Sequence, residues 1–105
     1  ALFTRFTLLA EQHFLEHWPV ARYASLLGLS VPRLNRLVQA EAGCNALELL
    51  HGRLTREACR RLVYIAAPVA RLAAELGFDD PAYFCRFFKR RRGVSPHRFR
   101  QQHAG

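Results

Sequence analysis

The sequence predicts an all-α fold of about seven helices, and two observations carry this prediction. Apolar residues recur at three- and four-residue intervals through most of the chain, which is typical of amphipathic helices. In addition, the nine residues that begin at Val20 recur 49 residues later, beginning at Val69, with six identities and a final glycine in both copies. Two copies of a short helix closed by glycine indicate a duplicated helical unit.

The boundaries of the predicted helices follow from prolines, glycines and capping residues. In chain order, the helices are expected over about residues 4–17, 20–27, 31–42, 45–63, 68–76, 81–91 and 96–102. Pro19 ends the first helix, since proline disfavours a helical conformation in the residue before it. Gly28 and Gly43 close the second and third helices, and Ser30 caps the start of the third.

The fourth helix is the longest and opens with Asn45-Ala46-Leu47-Glu48, a capping box in which asparagine is the cap. Its predicted apolar stripe consists of Leu47, Leu50, Leu54, Ala58 and Leu62. Its predicted polar side consists of Arg53, Arg56, Glu57, Arg60 and Arg61. At about 1.5 Å per residue this helix would be roughly 28 Å long. Prolines at positions 68, 81 and 96 lie in the first turns of the last three helices, where proline is well tolerated.

The repeat continues beyond its two glycines if one residue is added to the second turn. With an offset of 50, Arg36 then matches Arg86 and Gly43 matches Gly93. Each copy is a short helix, a turn and a second helix, which is the layout of a helix-turn-helix. The alternative is coincidence among helices rich in alanine and leucine, but coincidence would have to reproduce both glycines and both arginines.

Positive charge is concentrated at the C-terminal end of the chain. Residues 1–80 contain nine basic and eight acidic side chains, whereas residues 81–105 contain seven basic and no acidic ones. A block of one sign interleaved with aromatic residues is typical of a surface that meets a polyanion, although it can also be a solvated face. The block consists of Arg86, Lys89, Arg90, Arg91, Arg92, Arg98 and Arg100.

Size and cysteine usage narrow the class of protein. The length fits one domain or two small subdomains that share a core. No apolar run is long enough to span a membrane, and the first residues do not form a signal peptide. Cys44, Cys59 and Cys85 are odd in number and widely spaced, which indicates a reducing, cytoplasmic compartment and no cysteine zinc site.

The second helix of each copy is predicted to bury one side and to expose the other. The inward residues are Leu34, Leu37 and Val38 in the first copy, and Phe84, Phe87 and Phe88 in the second. The outward residues are Pro32, Asn35, Arg36 and Gln39 in the first copy, and Ala82, Cys85, Arg86 and Lys89 in the second. Arginine can form two hydrogen bonds to guanine, and asparagine or glutamine can do so to adenine. We therefore expect Arg36 and Arg86 to be the main base readers, assisted by Asn35 and Gln39; a solvated helix face is the alternative.

The second copy is predicted to depend more on phosphate contacts than on base reading. Ala82 and Cys85 cannot form good hydrogen bonds to bases, although Ala82 can pack against a thymine methyl group. The residues expected to contact backbone phosphates are Tyr83, Lys89, Arg90, Arg91, Ser95, His97 and Arg98.

One further motif suggests an enzyme but is weakly supported. His13-Phe14-Leu15-Glu16-His17 matches the H-x-x-E-H pattern of zinc proteases, with both histidines on one side of a helix. Such a site needs a third ligand and a substrate cleft, for which this chain is short and poor in acidic residues. We expect two surface histidines at a helix end, no metal, no cofactor and no enzymatic activity.

These residues resemble the AraC/XylS family of bacterial transcription regulators over about residues 18–100. The family pattern reads Ala70-x-x-Ala73-x-x-Leu76-Gly77-Phe78-x-x-x-x-Tyr83-Phe84-x-Arg86-x-Phe88-Lys89-Arg90, then Gly93-x-Ser95-Pro96-x-x-Phe99-Arg100. The resemblance implies a first helix-turn-helix subdomain over 1–44, a linker helix over 45–63 and a second subdomain over 64–105. It also implies a separate N-terminal domain for effector binding or dimerisation, which this chain does not include.

The resemblance also implies which residues contact bases. The positions of this chain that match the base-contacting positions of the family are Pro32, Asn35, Arg36, Pro81, Ala82, Cys85 and Arg86. Pro32, Pro81 and Ala82 depart from the polar residues that are common at those places. The segments 18–23 and 78–88 are also similar to activators of 4-hydroxybenzoate or 4-hydroxyphenylacetate catabolism.

The sequence thus predicts a sequence-specific, double-stranded DNA-binding domain of a bacterial transcription activator. Two recognition helices would enter successive segments of the major groove. The alternative is a helical protein-interaction module with a basic tail, for example one that docks to RNA polymerase. The expected partners are DNA, RNA polymerase and a small-molecule effector bound by the N-terminal domain.

Overall fold

The computed structural model describes residues 1–104, and this part of the chain forms seven α-helices, one short 3-10 helix and no strand. The helices are α1 (Leu2–His13), α2 (Val20–Leu26), α3 (Val31–Ala42), α4 (Ala46–Tyr64), α5 (Val69–Glu75), α6 (Pro81–Arg92) and α7 (Pro96–His103). The prediction of an all-α fold is therefore confirmed.

The first helix is shorter at its C-terminal end than predicted. α1 ends at His13, and a 3-10 turn over Phe14–Glu16 follows. His17 then adopts a left-handed conformation with a φ of 55°, which turns the chain before Pro19. The predicted end at residue 17 is wrong because the left-handed conformation of His17 cannot continue a helix, and the turn before it contains the buried Phe14. Pro68 likewise lies one residue outside its helix, as the N-cap of α5.

The predicted capping box at the start of α4 is confirmed. The Asn45 side chain accepts a hydrogen bond from the Glu48 backbone N–H at 2.8 Å, and the Glu48 carboxylate accepts one from the Asn45 N–H at 3.5 Å. These bonds satisfy amide groups that have no partner within the helix. They determine where the long helix begins.

The chain divides into two compact units, Ala1–Arg53 and Leu54–Gly105, and the division falls within α4. We call them the first and the second unit. The core of the first unit consists of Phe6, Ala10, Tyr23, Ala24, Leu27, Leu34, Val38, Ala46 and Leu50. The buried apolar residues of the second unit include Leu54, Ala58, Leu62, Leu72, Ala73, Leu76, Phe78, Phe84, Phe87, Phe88 and Phe99. The first core is mainly aliphatic, whereas the second contains a cluster of phenylalanines.

Two residues of α4 depart from the predicted pattern of burial. Leu47 is 47% exposed, and Ala46 is fully buried at the start of the helix in its place. Glu57 was expected on the polar side but is only 8% exposed, because it lies seven residues after Leu50 and thus on nearly the same side of the helix. The helical periodicity was therefore correct, but the width of the buried side was underestimated.

Glu57 is stabilised in its buried position by two arginines of the same helix. It accepts hydrogen bonds from the Arg60 side chain at 2.7 Å and from the Arg61 side chain at 2.8 Å. These hydrogen bonds, the Arg60 bond above all, lower the pKa of Glu57 to about 2 against the opposing effect of burial. Arg61 also lies 3.7 Å from the carboxylate of Glu75, which connects α4 to α5 within the second unit.

Candidate nucleic-acid interface

The sequence repeat corresponds to two structurally equivalent turns, one between α2 and α3 and one between α5 and α6. The glycine of each turn has a positive φ, +71° in the first copy and +89° in the second. Leu29 N–H donates to Ala24 O at 2.9 Å, and Phe78 N–H donates to Ala73 O at 3.0 Å. These two bonded pairs lie 49 residues apart in the sequence, so α2 and α5 end with the same hydrogen bond.

The helix after each turn is capped and then held by its buried side. The Ser30 side chain accepts a hydrogen bond from Arg33 N–H at 3.3 Å, and the Asp80 carboxylate accepts one from Ala82 N–H at 3.0 Å. Such side chains at the N-cap position begin a helix at a defined residue. The predicted inward residues are buried, except for Leu37, which is half-buried. α3 and α6 are therefore fixed on one side and open on the other.

The exposed side of α3 is centred on Arg36. Pro32 and Gln39 are exposed and lie within about 60° of Arg36 around the helix axis. Arg36 has no ion pair and no side-chain hydrogen bond within residues 1–104, so its guanidinium is available to a ligand. The structure thus brings together three of the four residues that the sequence placed on this stripe.

Asn35 differs from its predicted position, because it is half-buried at the border of the stripe, about 100° from Arg36. Its Oδ1 accepts a hydrogen bond from the backbone N–H of Ala46 at 3.0 Å. Cys85, at the corresponding place in α6, is also half-buried. The outward placement of these two residues is corrected accordingly.

One residue of this surface was missed in the sequence. Arg33 is exposed on α3, about 60° from Arg36 on the side opposite Gln39, and its side chain has no ion pair in the described residues. The repeat contained the signal, because an offset of 50 places Arg33 on Tyr83, which was assigned to phosphate contacts. Arg33 therefore joins the candidate surface of the first unit.

The exposed side of α6 is basic and aromatic. Ala82, Arg86 and Lys89 are exposed, and Tyr83 is 54% exposed with its ring in a T-shaped contact with the Phe78 ring. Arg90 lies one turn beyond Arg86 on the same side of the helix. The outlying predicted residues are Pro81 and Arg91, which are exposed but lie about 140° from Arg86 around the axis.

The start of α7 adds a third group to the second unit. The Ser95 side chain accepts a hydrogen bond from Arg98 N–H at 3.1 Å and thereby caps the helix. His97 and Arg98 are exposed in the first helical turn. A helix N-terminus with basic side chains favours an anionic group.

Some arginines form ion pairs with carboxylates of the protein, whereas others have no such partner and can contact a ligand. The arginines that pair with carboxylates are Arg53 (with Glu11), Arg60 and Arg61 (with Glu57), and Arg71 (with Glu75). Within residues 1–104, no carboxylate pairs with the side chains of Arg33, Arg36, Arg86, Lys89, Arg90, Arg91 or Arg98. We call these seven residues the unpaired basic set. No carboxylate of the described residues neutralises their charge.

Two members of the predicted basic block have structural partners. The Arg100 side chain donates to Leu62 O at 3.0 Å and to Ile65 O at 3.1 Å, so it caps the C-terminal end of α4. The Arg92 guanidinium lies 5.3 Å from the centre of the Phe99 ring. The number of basic side chains available to a polyanion is therefore smaller than the composition suggested.

The histidines of the H-x-x-E-H motif lie in a structural context. His13 Nδ1 is hydrogen-bonded to the carboxylate of Glu16, and the His13 ring stacks on Trp18 with ring centres 3.8 Å apart. His17 lies outside α1 in its left-handed conformation. The part of the chain that the structure describes contains no group of three or more His, Cys, Asp or Glu residues that could hold a metal ion. Nor does any described helix have the length and apolar character to cross a membrane.

Two equivalent helix-turn-helix units with unpaired basic side chains define a helix-turn-helix DNA-binding domain. A family model described as "Helix-turn-helix domain" matches residues 23–102. The chain is 34% identical over 92 residues to the arabinose operon regulatory protein of Salmonella typhimurium, covering 88% of this chain and 31% of that protein. It is 26% identical over 97 residues to the HTH-type transcriptional regulator ExsA of Pseudomonas aeruginosa, covering 92% of this chain and 35% of that protein.

Solved structures of DNA-binding and regulator domains also match the fold of this chain. The C-terminal domain of AraT, a response regulator from Geobacillus stearothermophilus, matches with a TM-score of 0.91 and 26% identity, over 99% of this chain and 87% of that one. The fold is also that of the DNA-binding domain of AdpA, a global transcriptional factor solved with a target DNA, with a TM-score of 0.84 and 24% identity, over 94% of this chain and 89% of that one.

The chain belongs to the AraC-type helix-turn-helix family, whose domains bind DNA in transcription regulators. It spans about a third of the length of the curated relatives named above. Those relatives are transcription regulators rather than enzymes.

Proposed function

We propose that this chain is the sequence-specific, double-stranded DNA-binding part of a bacterial transcription activator. The observation that carries this proposal is the pair Arg36 and Arg86, which lie at equivalent positions of two helix-turn-helix units. Both are exposed and both lack ion pairs within the described residues. Arginine at this place on a recognition helix can form two hydrogen bonds to guanine in the major groove.

Base reading in this proposal is unequal between the two units. In the first unit Arg36 reads guanine and Gln39 reads adenine, while Pro32 makes an apolar contact. In the second unit Arg86 reads guanine and Ala82 packs against a thymine methyl group. Pro81 and Cys85 line the same helix at the edges of the groove.

Phosphate contacts come mainly from the second unit. The residues proposed for this role are Tyr83, Lys89, Arg90, Arg91, Ser95, His97 and Arg98, together with Arg33 of the first unit. Exposed basic side chains without internal partners support the assignment, because neutralising a phosphate releases condensed counterions from DNA. The hydroxyl of Ser95 retains its proton for donation while its oxygen caps α7.

We further propose that α3 and α6 enter successive major-groove segments on one duplex. The 19 residues of α4 correspond to about 28 Å of helix, close to the spacing of about 34 Å between successive turns of DNA. Protection of about two helical turns from chemical cleavage is the expected result. Arg36→Ala should then weaken protection in one half of the footprint and Arg86→Ala in the other. Protection of a single turn would contradict simultaneous binding.

The main test of the proposed function is Arg36→Ala. Duplexes would first be selected by the unmodified chain from a random pool, and each base pair of the selected site would then be varied singly. We expect Arg36→Ala to cost about 1–3 kcal/mol and to relax the preference at one base pair. Arg5→Ala on α1 is the control, because it removes the same charge from an exposed arginine outside the proposed recognition helices α3 and α6. An equal loss on selected and random DNA would refute base reading by Arg36.

A second candidate function is docking to RNA polymerase, and one observation favours it. Leu8 and Leu26 are 59% and 53% exposed, and they border a shallow groove of about 300 Å³ in the first unit together with Arg5, Leu9 and Gln12. Gel shifts against random DNA at low and high salt separate the two functions. Salt-sensitive retardation is expected for a DNA-binding domain, and no retardation at either salt concentration would favour the docking module.

The remaining properties of the whole regulator are proposals that rest on the family. A preceding domain would bind a small-molecule effector, and the segments 18–23 and 78–88 favour regulators that respond to 4-hydroxybenzoate or 4-hydroxyphenylacetate. Such a regulator would act in the cytoplasm, without a cofactor in this domain and without catalysis. Reporter expression from a selected site, with and without each aromatic acid, tests the effector in the full-length protein.

A further inference from the structure

We propose that Asn35 is a positioning residue that holds the recognition helix α3 against the start of α4, and that it does not read a base. The inference rests on the proposed DNA-binding function. Asn35 Oδ1 accepts a hydrogen bond from Ala46 N–H at 3.0 Å, across 11 residues of sequence. A backbone N–H can only donate, so the oxygen of the side-chain amide must be the atom that faces it.

The Ala46 N–H depends on this hydrogen bond. Ala46 is the first residue of α4 and is 0% exposed. The first N–H groups of a helix have no carbonyl partner within the helix, and a buried N–H without any partner is costly. The capping side chain of Asn45 is directed to Glu48 N–H at 2.8 Å, so it serves a different amide. Asn35 therefore completes the start of the helix from outside.

The second unit provides an internal comparison. With the offset of 50, Asn35 corresponds to Cys85, and Ala46 corresponds to Pro96. Pro96 is the first residue of α7 and is buried, but proline has no N–H to satisfy. The unit that has an amide at this place has an acceptor opposite it, and the unit without the amide has no carbonyl side chain there. The two copies therefore differ at both members of the pair.

The hydrogen bond competes with base reading by the same side chain, because it holds the side-chain amide towards the start of α4. An asparagine that recognises adenine accepts from N6 through Oδ1 and donates to N7 through Nδ2. In this chain Oδ1 already faces Ala46. Arg36 is the next residue along α3, so the bond that ties α3 to α4 at Asn35 also holds the backbone that carries the Arg36 side chain.

A double-mutant cycle tests the proposal with N35A, A46P and the double variant. Proline suits the first position of a helix and removes the N–H that Asn35 serves. In the parent chain, N35A should lower the folding equilibrium constant in urea about five- to hundredfold, as expected for a buried donor left without an acceptor. In the A46P background the same change should cost less than about threefold. A cycle of C85A and P96A is the matched control, and no coupling is expected there.

The binding arm uses duplexes selected from a random pool by the unmodified chain, together with their single-base variants. N35A should weaken binding in the parent chain, and this loss should disappear in the A46P background. N35D keeps an acceptor for Ala46 N–H, so it should retain the preference at every base pair while its added negative charge weakens binding to all duplexes equally. N35D also serves as the test if A46P does not fold.

The outcomes distinguish a positioning role of Asn35 from base reading, and both from a failure of the proposed function. A loss of preference at a single base pair in N35D, or in N35A with A46P, would show that Asn35 reads a base and would overturn the proposal. Absence of coupling in the urea arm would overturn the role of the hydrogen bond. If the unmodified chain selects no sequence from the pool, the proposed function fails, and the positioning of a base-reading helix fails with it. In that case coupling in the urea arm would show that the hydrogen bond itself is real.

Discussion

The two helix-turn-helix units share a scaffold but expose different chemistry. α3 exposes Arg36 and Gln39, whereas the corresponding positions of α6 are Arg86 and Lys89. The glycine turns correspond in both units, and so do the N-cap positions, where Ser30 accepts from Arg33 N–H and Asp80 from Ala82 N–H. The backbone framework can thus be duplicated while the exposed residues diverge, because local turn and cap interactions do not depend on the side chains that face solvent.

The helix that follows each recognition helix shows the same divergence. Glu48 lies in the first turn of α4, where it takes part in the capping box, and Arg98 lies at the corresponding place in α7. A carboxylate at this position disfavours a nearby phosphate, whereas an arginine favours it. Within the proposed function, affinity would therefore depend mainly on the second unit and base preference mainly on the first.

The largest expected effect concerns the cores. Phe88 and its counterpart Val38 are both 0% exposed, and Phe88 belongs to the phenylalanine cluster of the second unit. Phe88→Ala should cost about 3–5 kcal/mol of unfolding free energy. Trp18, the single tryptophan, lies in the first unit, so its fluorescence can be compared with circular dichroism during urea unfolding.

Separate transitions are expected, with the dichroism of the second unit lost first. Coincident transitions of Phe88→Ala by both signals would instead show that the units unfold as one. Val38→Ala is the matched variant of the first unit, and it should shift the fluorescence transition by less, because it removes fewer buried atoms.

The next effect concerns the buried carboxylate of the second unit. Because the hydrogen bonds from Arg60 and Arg61 hold the pKa of Glu57 at about 2, below its ordinary value of 4.5, its ionised form stabilises the fold. This contribution should be complete above about pH 4.5 and should be lost as the pH falls towards 2. Glu57→Gln should remove it at neutral pH, at a cost of about 1.5–3 kcal/mol.

The matched variant in the first unit is Glu11→Gln. Glu11 pairs with Arg53, but its side chain is 59% exposed, so solvent screens the pair. Urea titrations at several pH values should show a smaller effect than for Glu57→Gln. An equal loss of stability in both variants would contradict the role of burial.

A smaller effect should separate charge from base reading. Lys89→Ala should weaken binding to all duplexes and reduce the slope of log affinity against log salt by about one unit. Gln39→Ala, at the corresponding place in the first unit, should leave the slope unchanged and relax the preference at one base pair. Affinities at several salt concentrations check both. If Lys89→Ala alters base preference and Gln39→Ala alters the slope, the proposed division between the units is reversed.

The smallest expected effect is a gain in stability. Tyr23 is 1% exposed, and its hydroxyl has no hydrogen-bond partner among the described residues, whereas its counterpart Leu72 has no polar group to bury. Burial also raises the pKa of Tyr23 to about 12. Tyr23→Phe should stabilise the chain by up to about 1 kcal/mol in thermal unfolding, because it removes an unsatisfied polar group. Tyr83→Phe, at an exposed site, should change stability by less, and a loss of stability in Tyr23→Phe would indicate a hydrogen bond to the hydroxyl.

The sequence was sufficient for the features that arise from neighbouring residues. Helix boundaries at Ser30, Asn45 and Asp80, and the left-handed glycine turns, depend on side chains and backbone within about four residues. The outward direction of Arg36 followed from the period of the helix and from the apolar residues on the opposite side. For this reason the all-α fold and the duplicated units could be predicted without tertiary information.

Apart from the end of α1, the placements that the structure corrects depend on contacts between residues distant in sequence. Asn35 bonds to Ala46 and Arg100 to Leu62, and no local pattern identifies either partner. The burial of Glu57 depends on which elements pack against α4, and periodicity gives the direction of a buried side but not its width. Helix propensity, helix capping and hydrophobic periodicity depend on neighbouring residues, so the sequence alone determines them. A partner from a distant part of the sequence is known only once folding has brought the two segments within hydrogen-bond distance.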